Sequence, residues 1–203
     1  IIGLEEVKEK NKLIIRRKIN NAHPGSLIEN TINILETEDV IRKVQDISSF
    51  GGTKDERLFN IALELVITWI NRILFLKLLE AQLVNYHRGD KEYRFLNTQT
   101  VEDYDELFKL FHQVLARTPE NRTESIRKKY GNVPYLNSSL FEISELEDKT
   151  VKINSLDDSE KLELINNTVL KEDRKKTSSM PALEYLFRFL DAYDFASEGA
   201  EDI

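Results

Sequence analysis

Hydrophobic and polar positions along the chain fall into helical rows, short alternating runs and turn-rich breaks. The longest row runs from Arg57 to Val84, RLFNIALELVITWINRILFLKLLEAQLV. At about 100° per residue, Arg57, Asn60, Glu64, Thr68 and Asn71 share one stripe about 80° wide, and apolar side chains take most of the remaining circumference. A helix apolar nearly all round is a buried one. The pattern therefore predicts a central helix, with Asp55 as its cap. Glu64, Asn71, Arg72, Lys77 and Glu80 interrupt the apolar run, so it never reaches the roughly 20 largely uncharged residues that spanning a bilayer requires. No membrane partner is expected.

Shorter rows surround this one. Leu4 to Ile19 reads as a charged helix, and Pro24-Gly25 is a turn. Leu27 to Leu35 is a helix with Ser26 and Glu29 as a capping box, and Asp39 to Ile47 another with Thr37 as its cap. SSFGGT at 48–53 is a break. Val101 to Ala116 places Val101, Tyr104, Leu107, Phe108, Phe111, Val114 and Leu115 on one broad face. Thr118-Pro119-Glu120 opens a helix reaching Tyr130, which Gly131 stops. Thr150 to Ile153 and Leu162 to Ile165 read as two short strands of a hairpin. A polar linker, 171–179, precedes a last helix, Pro181 to Tyr193, with Leu183, Leu186, Phe187 and Leu190 as its buried face. The expected fold is mainly α: a helical bundle around one long buried helix, with a small β-hairpin near residues 150–166. Its expected divisions are N-terminal helices (1–50), a helical core (54–130), an irregular segment (131–180), and a terminal helix with an acidic link (181–203).

Composition narrows the chemistry. The 203 residues are 40% hydrophobic and 32% charged, enough for one good core. A net charge of -7 argues against a generic polyanion binder, so any nucleic-acid contact must be local. With no Cys and three scattered His, the chain has no thiolate metal site and little material for zinc, and a reducing cytoplasm fits best. Position 1 is Ile and the only Met is Met180, which reads as a segment of a longer protein with no secretory signal at its start.

Two local patches run against the acidic average. Lys8, Lys10, Lys12, Arg16, Arg17 and Lys18 stand with one acid, Glu9, in eleven positions, and Arg122, Arg127, Lys128 and Lys129 follow later. Each patch is either a solvated face or a phosphate-contacting surface. Arg16, Arg17, Lys18, Arg122, Arg127, Lys128 and Lys129 are the candidates for DNA backbone contact. Catalytic signatures are missing: there is no Gly-rich phosphate loop, no G-x-S-x-G elbow and no H-E-x-x-H helix. No nucleophile or carboxylate constellation surrounds His87 in the sequence. No catalytic, cofactor-binding or metal-ligating residue is assigned.

Three stretches carry a resemblance. NRILFLKLLE (71–80), PYLNSSLFE (134–142) and YLFRFLDAYDF (185–195), in this order and separation, resemble the helical region preceding the adenine-N6 methyltransferase domain of single-chain, type IIG restriction-modification enzymes. Ser138 and Ser139 stand where such proteins usually carry two glycines, and Ala196 where a glycine is common. The likeness runs from about Arg57 to the C-terminus. It implies a non-catalytic connector between an upstream nuclease domain and a methyltransferase domain, with S-adenosylmethionine and Mg used by the parent enzyme and not by this segment. The methyltransferase's Asn-Pro-Pro-Tyr motif is absent, so no catalytic residue carries over. The implied partners are the flanking nuclease and methyltransferase domains and double-stranded DNA. Pro134, Tyr135, Leu140 and Phe141 are expected to pack against a neighbouring domain. The alternative from another class is a stand-alone helical protein-interaction module.

Overall fold

The computed structural model describes residues 1–9, 12–20, 22–163, 179–193 and 195. In chain order it contains β1 (Leu4–Glu9), β2 (Lys12–Arg17), α1 (Leu27–Thr37), α2 (Lys54–Tyr86), α3 (Tyr104–Lys109), α4 (Glu124–Lys129), α5 (Glu145–Lys149), β3 (Lys161–Glu163), β4 (Ser179–Pro181) and α6 (Ala182–Asp191). The fold is mainly helical, with two small two-stranded antiparallel sheets, β1–β2 and β3–β4. One apolar core draws residues from α1 through α6.

The 33-residue α2 is the axis of this core. Its cap is Thr53, not Asp55 as expected. The Thr53 hydroxyl accepts from the Glu56 N–H at 3.2 Å, and the Glu56 carboxylate accepts from the N–H groups of Thr53 and Gly52, at 3.1 and 2.8 Å. This closes a capping box on the helix's orphan donors, with Asp55 and Glu56 facing the positive end of the helix dipole. The buried positions Leu58, Ile61, Ala62, Leu65, Val66, Trp69, Arg72, Ile73, Leu76, Lys77 and Glu80 recur every three or four residues along one face. Three of these eleven are charged. The chain leaves α2 through Arg88 (φ 59°) and Gly89 (φ 86°), and the His87 ring stacks on Tyr93 with centroids 3.6 Å apart.

In place of the helix expected from Leu4 to Ile19, Leu4–Glu9 and Lys12–Arg17 pair as an antiparallel ribbon. Glu5 opposes Arg16, Val7 opposes Ile14, and Glu9 opposes Lys12, so one face of the ribbon pairs opposite charges and β-branched side chains, while the other sets Leu4 on Arg17, Glu6 on Ile15 and Lys8 on Leu13. At its base the Lys18 N–H donates to the Gly3 carbonyl at 3.0 Å, and Arg17 grips Glu29 of α1 with two bonds of 2.8 and 2.7 Å. That grip also removes the expected capping box at α1. Glu29 is turned to Arg17, the Ser26 side chain makes no cap bond, and the N–H groups of Leu27 and Ile28 are taken by the carbonyls of Ile1 and Ile2.

Other short elements depart from local expectation. Residues 39–47 form no α-helix; Asp39 and Asp46 sit at positive φ, and two 3-10 turns, Val40–Lys43 and Ile47–Phe50, replace it. The Val101 to Ala116 row splits into α3, capped by Asp103, and a π-helical turn at Leu110–Leu115. The helix expected from Thr118 to Tyr130 is a 3-10 turn at Pro119–Asn121 followed by α4. Thr150 to Ile153 is no strand: the hairpin partner of β3 is β4. Most of the expected linker lies outside the described residues. The α6 face holds as expected, with Leu183, Leu186, Phe187 and Leu190 all buried.

Replacing Thr53 with Ala removes one half of the α2 cap. It is expected to cost about 1 kcal/mol, read as a lowered midpoint in urea unfolding with an unchanged slope.

Candidate functional site

The basic residues scatter in space and differ in what they face. Arg16 is exposed and bonded to Glu5 at 2.9 Å, and Arg17 is committed to Glu29, which raises its pKa further. Lys18 sits beside them, half-buried. Arg122, expected to meet the DNA backbone, is buried instead. It is 5% exposed, and its guanidinium donates to the carbonyls of Arg117 (3.1 Å) and Val133 (2.8 Å), knitting the turn before α4 to the loop after it. Lys129 reaches Glu106 of α3 at 2.6 Å and lies over the Tyr130 ring. Arg127 and Lys128 are exposed, and among the described residues neither joins an ion pair. The second patch therefore keeps two outward-facing cations of its four.

The loop carrying PYLNSSLFE is pinned by buried side chains of α2 and the π-helical turn. Arg72 of α2, 1% exposed, sends Nε to the Leu140 carbonyl at 2.6 Å and Nη2 to the Glu142 carbonyl at 2.7 Å. The same fork meets Glu147 with two bonds of 2.6 and 2.8 Å. Glu147, also 1% exposed, accepts in addition from the Trp69 indole N–H at 2.8 Å and the Ser144 N–H at 2.9 Å. Burial pushes the Glu147 carboxyl up, but these donors outweigh it and hold the group below its ordinary range. His112, in the π-helical turn, donates its Nδ1–H to the Phe141 carbonyl at 2.7 Å; burial lowers its pKa, consistent with a neutral ring. Phe141 is fully buried between Phe75 and Phe111, with centroids at 5.8 and 6.0 Å. It packs inside this chain and is not an outward contact, against expectation. Leu140 and Pro134 are half-buried, and Tyr135 is the exposed member of that set.

The remaining buried charges of α2 act in the same way. Lys77 bonds to Glu80 at 3.0 Å and to Asp191 of α6. Glu80 accepts from the N–H groups of Phe95 and Leu96, at 2.7 and 2.6 Å. Lys77 and Glu80 thus pair with each other within α2, and Arg72 and Lys77 face this chain's own loops and α6. Nothing in the local sequence marks Glu147 and Asp191 as their partners, or residues 95–96 as those of Glu80, because the bonds across the fold span 15 to 114 residues.

Glu106 forms a smaller surface hub, accepting from Lys109 (2.5 Å), Lys129 (2.6 Å) and the Tyr130 hydroxyl (3.0 Å). Burial alone would raise the Glu106 pKa, but those three donors bring it down to about 2. Among the described residues no three His, Cys, Asp or Glu side chains are grouped so as to hold a metal ion, and no helix is long and apolar enough to cross a membrane.

Fold and site together define a mainly helical domain clamped by buried charges. The chain belongs, over residues 1–203, to the family described as a domain of unknown function, DUF7814. No curated protein and no solved structure matches it.

Arg72→Met leaves Glu147 buried without its counter-charge and should lower unfolding stability by about 3–5 kcal/mol. The pair Arg72→Met with Glu147→Leu should recover part of that loss, because no lone charge remains. A loss below about 1 kcal/mol for the single variant would show that the clamp is not what holds the loop. The Glu106 contribution exists above the ordinary carboxylate value of 4.5 and is lost as pH falls towards about 2. Glu106→Gln should therefore be less stable than the parent by about 1 kcal/mol at pH 7, with the gap closing across that acid window in urea titrations.

Proposed function

We propose that this chain is a non-catalytic helical connector of a DNA restriction-modification enzyme, setting the geometry between a nuclease domain and an adenine-N6 methyltransferase domain. One observation supports the reading beyond resemblance alone. The three stretches on which the resemblance rests are interlocked by two buried side chains of the first: Arg72 holds the carbonyls of Leu140 and Glu142 in the second, and Lys77 holds Asp191 in the third. A spacer must hold its ends at fixed separation, and a charge clamp inside a packed core resists the sliding that apolar contacts alone permit. S-adenosylmethionine and Mg belong to the parent's other domains in this reading.

Contact with DNA falls to the accessible cations. Arg127 and Lys128 on α4, with Lys18 at the base of the hairpin, can meet phosphates without reading sequence. Arg122 is excluded by burial, and Lys129 and Arg17 are held by Glu106 and Glu29. Pro134, Tyr135 and Leu140 form the outward side of the clamped loop and supply a packing surface for a neighbouring domain.

Titrating duplex DNA against the chain across salt concentration tests the first contact. Binding should weaken steeply with salt, and Arg127→Gln with Lys128→Gln should flatten the log–log slope by up to about 0.9 for each phosphate no longer neutralised. Absence of binding at low salt would remove DNA from the proposal and leave a spacer.

A further inference from the structure

Ser26 carries the one hydroxyl among the described residues that is buried without a hydrogen-bond partner; the residue is 3% exposed. The groups that would ordinarily engage it are spent elsewhere. Glu29 is held by Arg17, and the N–H groups of Leu27 and Ile28 go to the carbonyls of Ile1 and Ile2, so the hydroxyl does not cap α1. It lines instead a cavity of about 320 Å³ between the base of the β1–β2 ribbon, the start of α1, β3 and α6. Lys18 and His23 line the same cavity. Short backbone links bring these three donors together: the Lys18 N–H donates to the Gly3 carbonyl at 3.0 Å, the Ser26 N–H donates to the His23 carbonyl at 2.9 Å, and a side chain at Gly3 (φ 97°) would meet the Ser26 Oγ at 2.7 Å. The His23 Nδ1 accepts the Gly25 N–H at 3.1 Å, which leaves the proton of the neutral ring on Nε2 as a donor. Lys18 is half-buried and joins no ion pair among the described residues. The one acid on the cavity wall is Glu163 of β3, which is exposed.

We propose that this cavity binds the carboxylate of an aliphatic acid, whose chain lies in the apolar groove beside it. The groove, of about 620 Å³, is lined by Ile70, Leu74, Leu186, Phe189 and Leu190, and it shares the walls Gly3, Leu4 and Tyr185 with the polar cavity. Both volumes lie in the range of roughly 300–1,000 Å³ of small-molecule sites, whose usual plan is an apolar cleft with a few convergent polar groups. The donor set selects the head group. One full cation and two neutral donors match a single negative charge spread over two oxygens that accept several hydrogen bonds. A phosphate monoester brings a second charge, which Lys18 alone, with Glu163 on the same wall, leaves uncompensated. An alcohol makes no use of the ammonium. A carboxylate oxygen at Ser26 supplies the partner that its hydroxyl lacks, and the low polarity behind the ribbon strengthens that bond. Glycine at position 3 fits this use, because a side chain there would cover the Ser26 Oγ. The inference is separate from the DNA reading, whose test rests on Arg127 and Lys128; a bound carboxylate withdraws Lys18 from that surface.

Isothermal titration calorimetry of the chain with sodium decanoate tests it. The expected result is saturable one-to-one binding with a Kd below about 1 mM, weakened by about tenfold or more in Ser26→Ala and in Lys18→Met while circular dichroism and the urea midpoint stay near the parent's. Decanol, which keeps the chain and loses the charge, and acetate, which keeps the charge and loses the chain, should each bind at least about tenfold more weakly than decanoate. Of the three histidines, His23 alone should show ring proton signals that move on saturation with decanoate, a readout that needs no variant. No saturable binding up to about 5 mM decanoate overturns the proposal. Decanol or decyl phosphate binding more tightly than decanoate, movement at His87 or His112 in place of His23, or undiminished binding by Ser26→Ala overturns it equally.

Discussion

Three charged side chains inside the central helix constrain everything packed around it. An ionised group removed from water is tolerated only when its donors and acceptors are met, since the desolvation cost otherwise runs to several kcal/mol per ion. Arg72, Lys77 and Glu80 of α2 meet that condition by drawing in main chain and side chains from three distant segments: the 140–147 loop, the end of α6, and residues 95–96. Replacing all three with apolar residues would fill the same space, but it would not specify which loop sits where. The fork of Arg72, planar and with fixed donors, supplies that specificity in one residue.

The same inward turn of charge explains why the outer face of α2 is apolar. The helix has one polar stripe over its first half, where Arg57 and Asn60 bond to the carbonyls of Gly51 and Phe50. Farther along, the charged residues lie on the opposite side, facing the core. Solvent is left with Ile67, Leu74, Phe75 and Leu78.

Charge elsewhere is also used for cohesion before contact with partners. Of the seven candidate cations, Arg16, Arg17 and Lys129 are paired to Glu5, Glu29 and Glu106, and Arg122 serves backbone carbonyls inside the fold. A basic run in the sequence is thus a poor guide to a basic surface. The acids that neutralise much of it come from other elements.

What the sequence determined by itself was local and periodic. The apolar row of α2, the four buried positions of α6, the helix at Leu27 and the mainly helical class all follow from spacing, because a residue's side of a helix depends only on its neighbours a few positions away. Tertiary structure decided the rest. Leu4 to Ile19 carries a pattern compatible with either a helix or a ribbon, and its cross-strand pairs, with Arg17 on Glu29, belong to the ribbon. In the sequence Arg72 and Lys77 are only breaks in an apolar row, and Phe141 belongs to a loop expected to pack against a neighbouring domain. Only partners 29 to 114 residues away bring them inside, and no local spacing records a contact made across that distance.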